Sequence, residues 1–198
     1  MAKFKNKYRI ESTRLQCWDY GWNASYFITI CTAHRRFYFG DVVDKIMFLS
    51  DIGCLAWEYW YEMPNQFPFI KLDAFIAMPN HVHMIVTIDK PDDGRGNVPS
   101  RKDAIHRAPI NEAGEKQTAA RGGFAGEKNP MLHDNVPRAI RWYKGVVKFY
   151  AKKINPQYNW QGGFYDRIIR TDRAYKNIAD YIHDNPRRWK DDRYLGSM

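Results

Sequence analysis

The chain has 198 residues, 44% of them apolar and 16% aromatic, enough to bury a core and too much to stay disordered as a whole. It lacks a run of apolar residues long enough for a bilayer, and the Lys-rich start is not followed by a signal-type segment, which predicts a cytoplasmic protein without a membrane partner. The net charge of +9 is the positive statement: basic and rich in rings, the chain suits phosphates and stacked bases.

In residues 1–16, Lys3, Lys5, Lys7, Arg9 and Arg14 face a single Glu11. A solubilising tail explains most of them, while Arg14, nearest the first strand, can meet a backbone phosphate. Tyr26-Phe-Ile-Thr-Ile-Cys-Thr32 is β-branched and aromatic and predicts the first strand. His34, Arg35 and Arg36 then form a wetted turn or line a groove. Val42, Ile46, Leu49, Gly53, Ala56 and Trp60 recur at helical spacing, which predicts a helix over about 42–63, ended by Pro64. The three cysteines, Cys17, Cys31 and Cys54, fit no paired ligand spacing and suit reduced thiols.

Two strands follow, about 69–77 and 81–89, around the turn Met78-Pro79-Asn80. With a period of two, His81 and His83 leave one face of the second strand, and Val82, Met84, Val86 and Ile88 the other. Two imidazoles side by side on a strand suit a metal or a phosphate. Residues 91–135 change character: six glycines and four prolines accompany seven basic and seven acidic residues, which predicts a flexible insertion within one domain spanning 1–198. His106 and His133 within it have no companion at ligand spacing.

A second helix is expected from Asn135-Val136-Pro137, with Pro in its first turn. Ile140, Tyr143, Val147, Tyr150 and Ile154 form its buried stripe, and Arg141, Lys144, Lys148 and Lys152 a basic one. Over 136–170 there are eight Lys or Arg and one Asp, so this helix is a candidate for nucleic-acid contact, with Arg167 and Arg170 on the strand after it. Trp160-Gln-Gly-Gly-Phe-Tyr-Asp-Arg-Ile-Ile-Arg170 reads as a glycine-permitted turn into that strand. A last helix runs from a Thr171 or Asp172 cap to Asp184, stopped by Asn185-Pro186, and a short basic tail follows.

Strand, helix, strand, strand, helix, strand, helix predicts an α+β fold: a ferredoxin-like antiparallel sheet with helices packed on one face and an added C-terminal helix. Tyr181 and Asn185 are one turn apart on that last helix and would face His81 and His83, with the Asn185 carboxamide as a third ligand and the Tyr181 hydroxyl beside the metal.

Met78-Pro-Asn-His-Val-His83, Trp160 to Arg170 and Asp180-Tyr-Ile-His-Asp-Asn-Pro186 resemble, in order and wording, the single-tyrosine HUH transposases of the IS200/IS605 type, closest to the REP-associated tyrosine transposase branch. The resemblance implies a metal-dependent endonuclease and strand transferase of single-stranded or hairpin DNA. By it, Tyr181 would be the nucleophile forming a 5′-phosphotyrosine link, and His81, His83 and Asn185 the ligands of Mg²⁺ or Mn²⁺. Lys144 falls where the family tends to carry a lysine. No nucleotide cofactor is implied, and a monomer is slightly favoured over a homodimer. A ligand set without a carboxylate predicts a weak site. Two other readings stay open on the residues alone: a non-catalytic single-stranded nucleic-acid-binding module, and a nuclease that activates water, in which Tyr181 is dispensable.

Overall fold

The structure is a computed structural model, and it describes residues 3–4, 7–8, 18–91, 133–192 and 194. Arg14, and all of the 91–135 insertion except its two ends, lie outside the described residues. A four-stranded antiparallel sheet is built from β1 (Ser25–Cys31), β4 (Ile70–Met78), β5 (His81–Ile88) and β6 (Tyr165–Ile169), in the spatial order β4-β5-β1-β6. With α1 (Asp51–Tyr61) and the single turn α2 (Met63–Gln66) before β4 and α3 (Val136–Ile154) before β6, this is the ferredoxin-like order of strands and helices.

Alternation along the strands divides the core into two layers. Ile28, Ile30, Val82, Met84 and Val86 face α1 and α3 and pack with Ile52, Ala56, Trp60, Ile140, Tyr143 and Val147. Tyr143 ties the two helices together by donating its hydroxyl proton to the Ala56 carbonyl at 2.9 Å. On the other face Phe27, Ala74, Ile85 and Ile169 pack against Ile182 of α4 (Asp172–Asp184), with Ile178 and Tyr181 at the margin. Two helices therefore cover one face, and the C-terminal helix covers the other.

The three long helices each start at a side-chain cap. Ser50, Asn135 and Thr171 each accept a hydrogen bond from the backbone N–H three residues on, at Gly53, Arg138 and Ala174. The first predicted helix, however, began too early. Residues 40–49 form a hairpin, β2 (Gly40–Val43) with β3 (Ile46–Leu49), and the helix starts only at Asp51. Asp44 and Lys45 both have positive φ, 50° and 66°, which is the twist that a two-residue hairpin loop requires. Val42, Ile46 and Leu49 had matched a helical period by chance across that turn. The buried stripe of α3 also takes another line than its period suggested: Ala151 follows Val147 into the core, and Tyr150 and Ile154 are exposed.

The basic tail after Pro186 is likewise more than a tail. A 3₁₀ helix, Asn185–Asp191, buries Trp189, and Tyr194 is buried after it. Their rings pack beside His81, with centroids 6.1 and 4.6 Å away.

Candidate functional site

β4 and β5 are joined by Pro79 and Asn80 alone, so Met78 pairs with His81 and Ile76 with His83. The loop is held from below: the Pro79 carbonyl accepts from the N–H groups of Tyr38 and Phe39, and that of Asn80 from the N–H of Thr32. Both histidines are fully buried on the face that carries α4.

The hydrogen bonds around them set their chemistry. Asn80 Nδ2 donates to the Tyr194 carbonyl at 2.6 Å, which leaves Oδ1 to accept from Nδ1–H of His81 at 2.8 Å. His81 therefore carries its proton on Nδ1 and presents a lone pair at Nε2. His83 meets the Thr29 hydroxyl through Nδ1 at 2.8 Å, and its Nε2 lies 3.1 Å from Nε2 of His81. Two facing lone pairs would repel, so a proton or a cation belongs between them. The separation is that of neighbouring ligands on one cation, ~3 Å for donors at ~2.1 Å and right angles. Thr29 suits either state, because its hydroxyl donates to Nδ1 or accepts from it.

A carboxylate completes the group. Asp192 has an oxygen within 4.8 Å of the imidazole nitrogens, and the three side chains form a cluster able to bind a divalent cation. One Asp192 oxygen accepts from the Tyr194 N–H at 2.6 Å, which fixes the residue on the tail. The ligand set expected from the sequence held no carboxylate; Asp192, a residue beyond the recognisable motif, folds back beside the histidines.

From α4, the Tyr181 hydroxyl reaches His83 Nε2 at 3.2 Å, with its ring edge-on to Phe27. Asn185, one turn further, is 1% exposed, and among the described residues neither Nδ2 nor Oδ1 has a hydrogen-bond partner. An amide buried in that state costs about 1–3 kcal/mol, and its oxygen is a donor that could serve a cation beside the histidines.

The basic residues are divided between the two faces. Arg141, Lys148 and Lys152 stand on α3, across the sheet from the histidines. Lys144 donates to the carbonyls of Gln161 and Gly163 at 2.8 and 2.5 Å, while its own carbonyl accepts from Trp160 Nε1 at 3.0 Å. It thus ties α3 to the turn before β6. Burial brings its ammonium down to about 8, with Cys31 opposing and Lys148 adding to the shift. Arg167, paired with Phe27 across β6 and β1, is on the histidine face, and Arg170 is exposed just beyond. Sequence reasoning missed Thr29, Asn80 and Asp192. Asn80 alone had a signal, its place in the turn directly before His81.

No family model matches the chain. An uncharacterised protein of Haemophilus influenzae is 30% identical over 182 residues, covering 91% of this chain and 90% of that protein. The chain belongs to that protein's family. Among solved structures, a REP-associated tyrosine transposase bound to a REP hairpin superposes with a TM-score of 0.54 at 16% identity, over 91% of this chain and 74% of the other. At that identity the likeness establishes a shared fold. Among the described residues, no helix is long and apolar enough to cross a membrane.

Proposed function

We propose that this chain is a metal-dependent endonuclease and strand transferase of single-stranded DNA, with Tyr181 as its nucleophile. The observation that carries the reading is the Tyr181 hydroxyl 3.2 Å from His83 Nε2, beside a buried imidazole pair. His81, His83 and Asp192 would hold Mg²⁺ or Mn²⁺, with the Asn185 carboxamide oxygen as a further donor. Imidazoles mixed with oxygen donors favour Mn²⁺ over Mg²⁺. When bound, such an ion supplies Lewis-acid stabilisation of the charge that builds on a phosphate oxygen.

The rest of the chemistry falls to the chain. Packing of Tyr181 against Phe27 orients the phenol toward the space where a phosphate would sit. Its oxygen attacks phosphorus, a tyrosyl phosphodiester forms, and the bond to the 3′ oxygen breaks. The phenol proton passes to solvent and the departing oxygen takes one up, leaving a 5′-phosphotyrosine and a free 3′-hydroxyl. Because one phosphodiester replaces another, a 3′-hydroxyl can reverse the attack and join strands without a nucleotide cofactor. Tyr181 meets the histidines of its own chain, which supports a monomer as the acting unit. The REP hairpin bound by the structural relative supports hairpin-containing DNA as the substrate class. The basic residues Arg141, Lys148, Lys152, Arg167 and Arg170, together with Arg14, remain its candidate contacts.

The test is incubation with Mn²⁺ and a labelled library of single-stranded hairpins, followed by denaturing electrophoresis. A protein–DNA adduct that Tyr181→Phe abolishes is the expected result. Cleavage by Tyr181→Phe at an undiminished rate would mean a water-activating nuclease, and binding without any cleavage would mean a nucleic-acid-binding module.

A further inference from the structure

Register runs a straight row from the imidazole pair to the edge of the sheet. Ile76, His83, Thr29 and Tyr165 are successive partners across β4, β5, β1 and β6, so all four side chains leave the same face. Thr29 touches His83, and Tyr165 is next, with 48% of its surface exposed. Two strand spacings place it about 10 Å from His83 along the backbone. Two residues further along β6, Arg167 leaves the same face and is exposed. Asp166 between them partners Ile28, whose side chain belongs to the opposite layer. The histidine face of β6 therefore carries a ring and a cation at alternate positions, while the carboxylate points away.

Beyond Arg167 the surface opens into a cleft of about 500 Å³ between β6 and the first turns of α4. Arg167 and Arg170 outnumber Asp166 among the charged groups that line it, and Ile169, Ala174 and Ile178 provide apolar wall. An exposed ring followed by guanidinium groups is the arrangement that binds single strands: bases stack on the ring, and cations follow the backbone.

We propose that the outer face of β6 is a nucleotide subsite. Tyr165 stacks on the base next to the phosphate held at His81 and His83, Arg167 neutralises the following phosphate, and the cleft toward Arg170 receives the next nucleotide. This subsite deepens the proposed DNA reaction and rests on it for the identity of the strand.

The full-length chain with Mn²⁺ and a fluorescein-labelled oligothymidylate of about twelve nucleotides, within the site sizes known for single-strand binders, provides the test. At low salt, Tyr165→Ala should weaken binding about tenfold, the loss of one stacked base. Tyr165→Phe should restore it, since the ring stacks without the hydroxyl. Arg167→Gln should weaken binding and flatten its salt dependence. Tyr61→Ala, which removes an exposed ring at the far end of α1, should leave binding unchanged, and all four variants should bind Mn²⁺ as the parent does. The subsite is overturned if Tyr165→Ala binds like the parent, if Tyr61→Ala loses as much, or if the parent does not bind the strand. Failure of the subsite would leave the Tyr181 adduct intact. Failure of the enzymatic reading would remove the adduct and leave Tyr165-dependent binding.

Discussion

The Thr29 hydroxyl stands 2.8 Å from Nδ1 of His83, directly across the β1–β5 ladder, so that Nε2 of the same ring is the nitrogen turned toward His81 and Tyr181. A hydroxyl in that place fixes the ring's rotation and accepts a hydrogen bond from Nδ1–H once Nε2 takes a ligand. Thr29→Val keeps the shape and removes the partner. It should lower Mn²⁺ affinity in calorimetric titration by about 10–100-fold, as loss of such supporting contacts usually does. Unchanged affinity would mean that His83 does not ligate through Nε2.

Asp192→Asn keeps an oxygen to accept from the Tyr194 N–H and removes only the charge. Mn²⁺ binding should weaken by at least about tenfold, since an anionic oxygen is the hardest donor present, and adduct formation should fall in parallel. An Asp192→Asn protein with the parent's affinity would leave the carboxylate as a tail anchor.

Asn185 makes a prediction of two signs. Its carboxamide is buried without hydrogen-bond partners among the described residues, so Asn185→Leu should stabilise the metal-free protein by about 1 kcal/mol in urea unfolding. The same substitution should weaken Mn²⁺ binding and adduct formation. Loss of stability in the metal-free protein would place this side chain in the scaffold.

Lys144 should be visible in the pH dependence of stability. Its ammonium titrates near 8 in the folded chain against 10.5 when unperturbed. Between those values the unfolded chain holds the extra proton, so stability rises with pH across the window. Unfolding free energy measured against Lys144→Met should therefore show the parent gaining on the variant from about pH 8 to about pH 10, with a constant difference below. A difference that shrinks over this range would contradict the burial of the ammonium.

Gly53 reverses a common rule. Replacing a helical glycine by alanine usually stabilises by about 1 kcal/mol. Here a Cβ would sit 2.2 Å from the Phe39 carbonyl oxygen, where the chain entering β2 passes behind α1. Gly53→Ala should cost about 1–3 kcal/mol in thermal or urea unfolding, the range of an overpacked site. A gain would show that the Phe39 segment yields freely.

Much of the site was legible because it depends on local geometry. A strand's period of two places His81 and His83 on one face, and a helix turn places Tyr181 above Asn185, wherever those elements end up. The Thr171 cap marks a helix start for the same local reason, whereas the Ser50 cap is hidden by a helical period that runs across the hairpin before it. Only the tertiary structure decided how far apart those pairs lie, because that distance is set by Phe27, Ile85 and Ile182 packing between α4 and the sheet. It also decided that Arg141, Lys148 and Lys152 stand across the sheet from the histidines. Asp192 became a candidate ligand because burial of Trp189 and Tyr194 carries the tail back over His81, a fact of packing with no period to announce it.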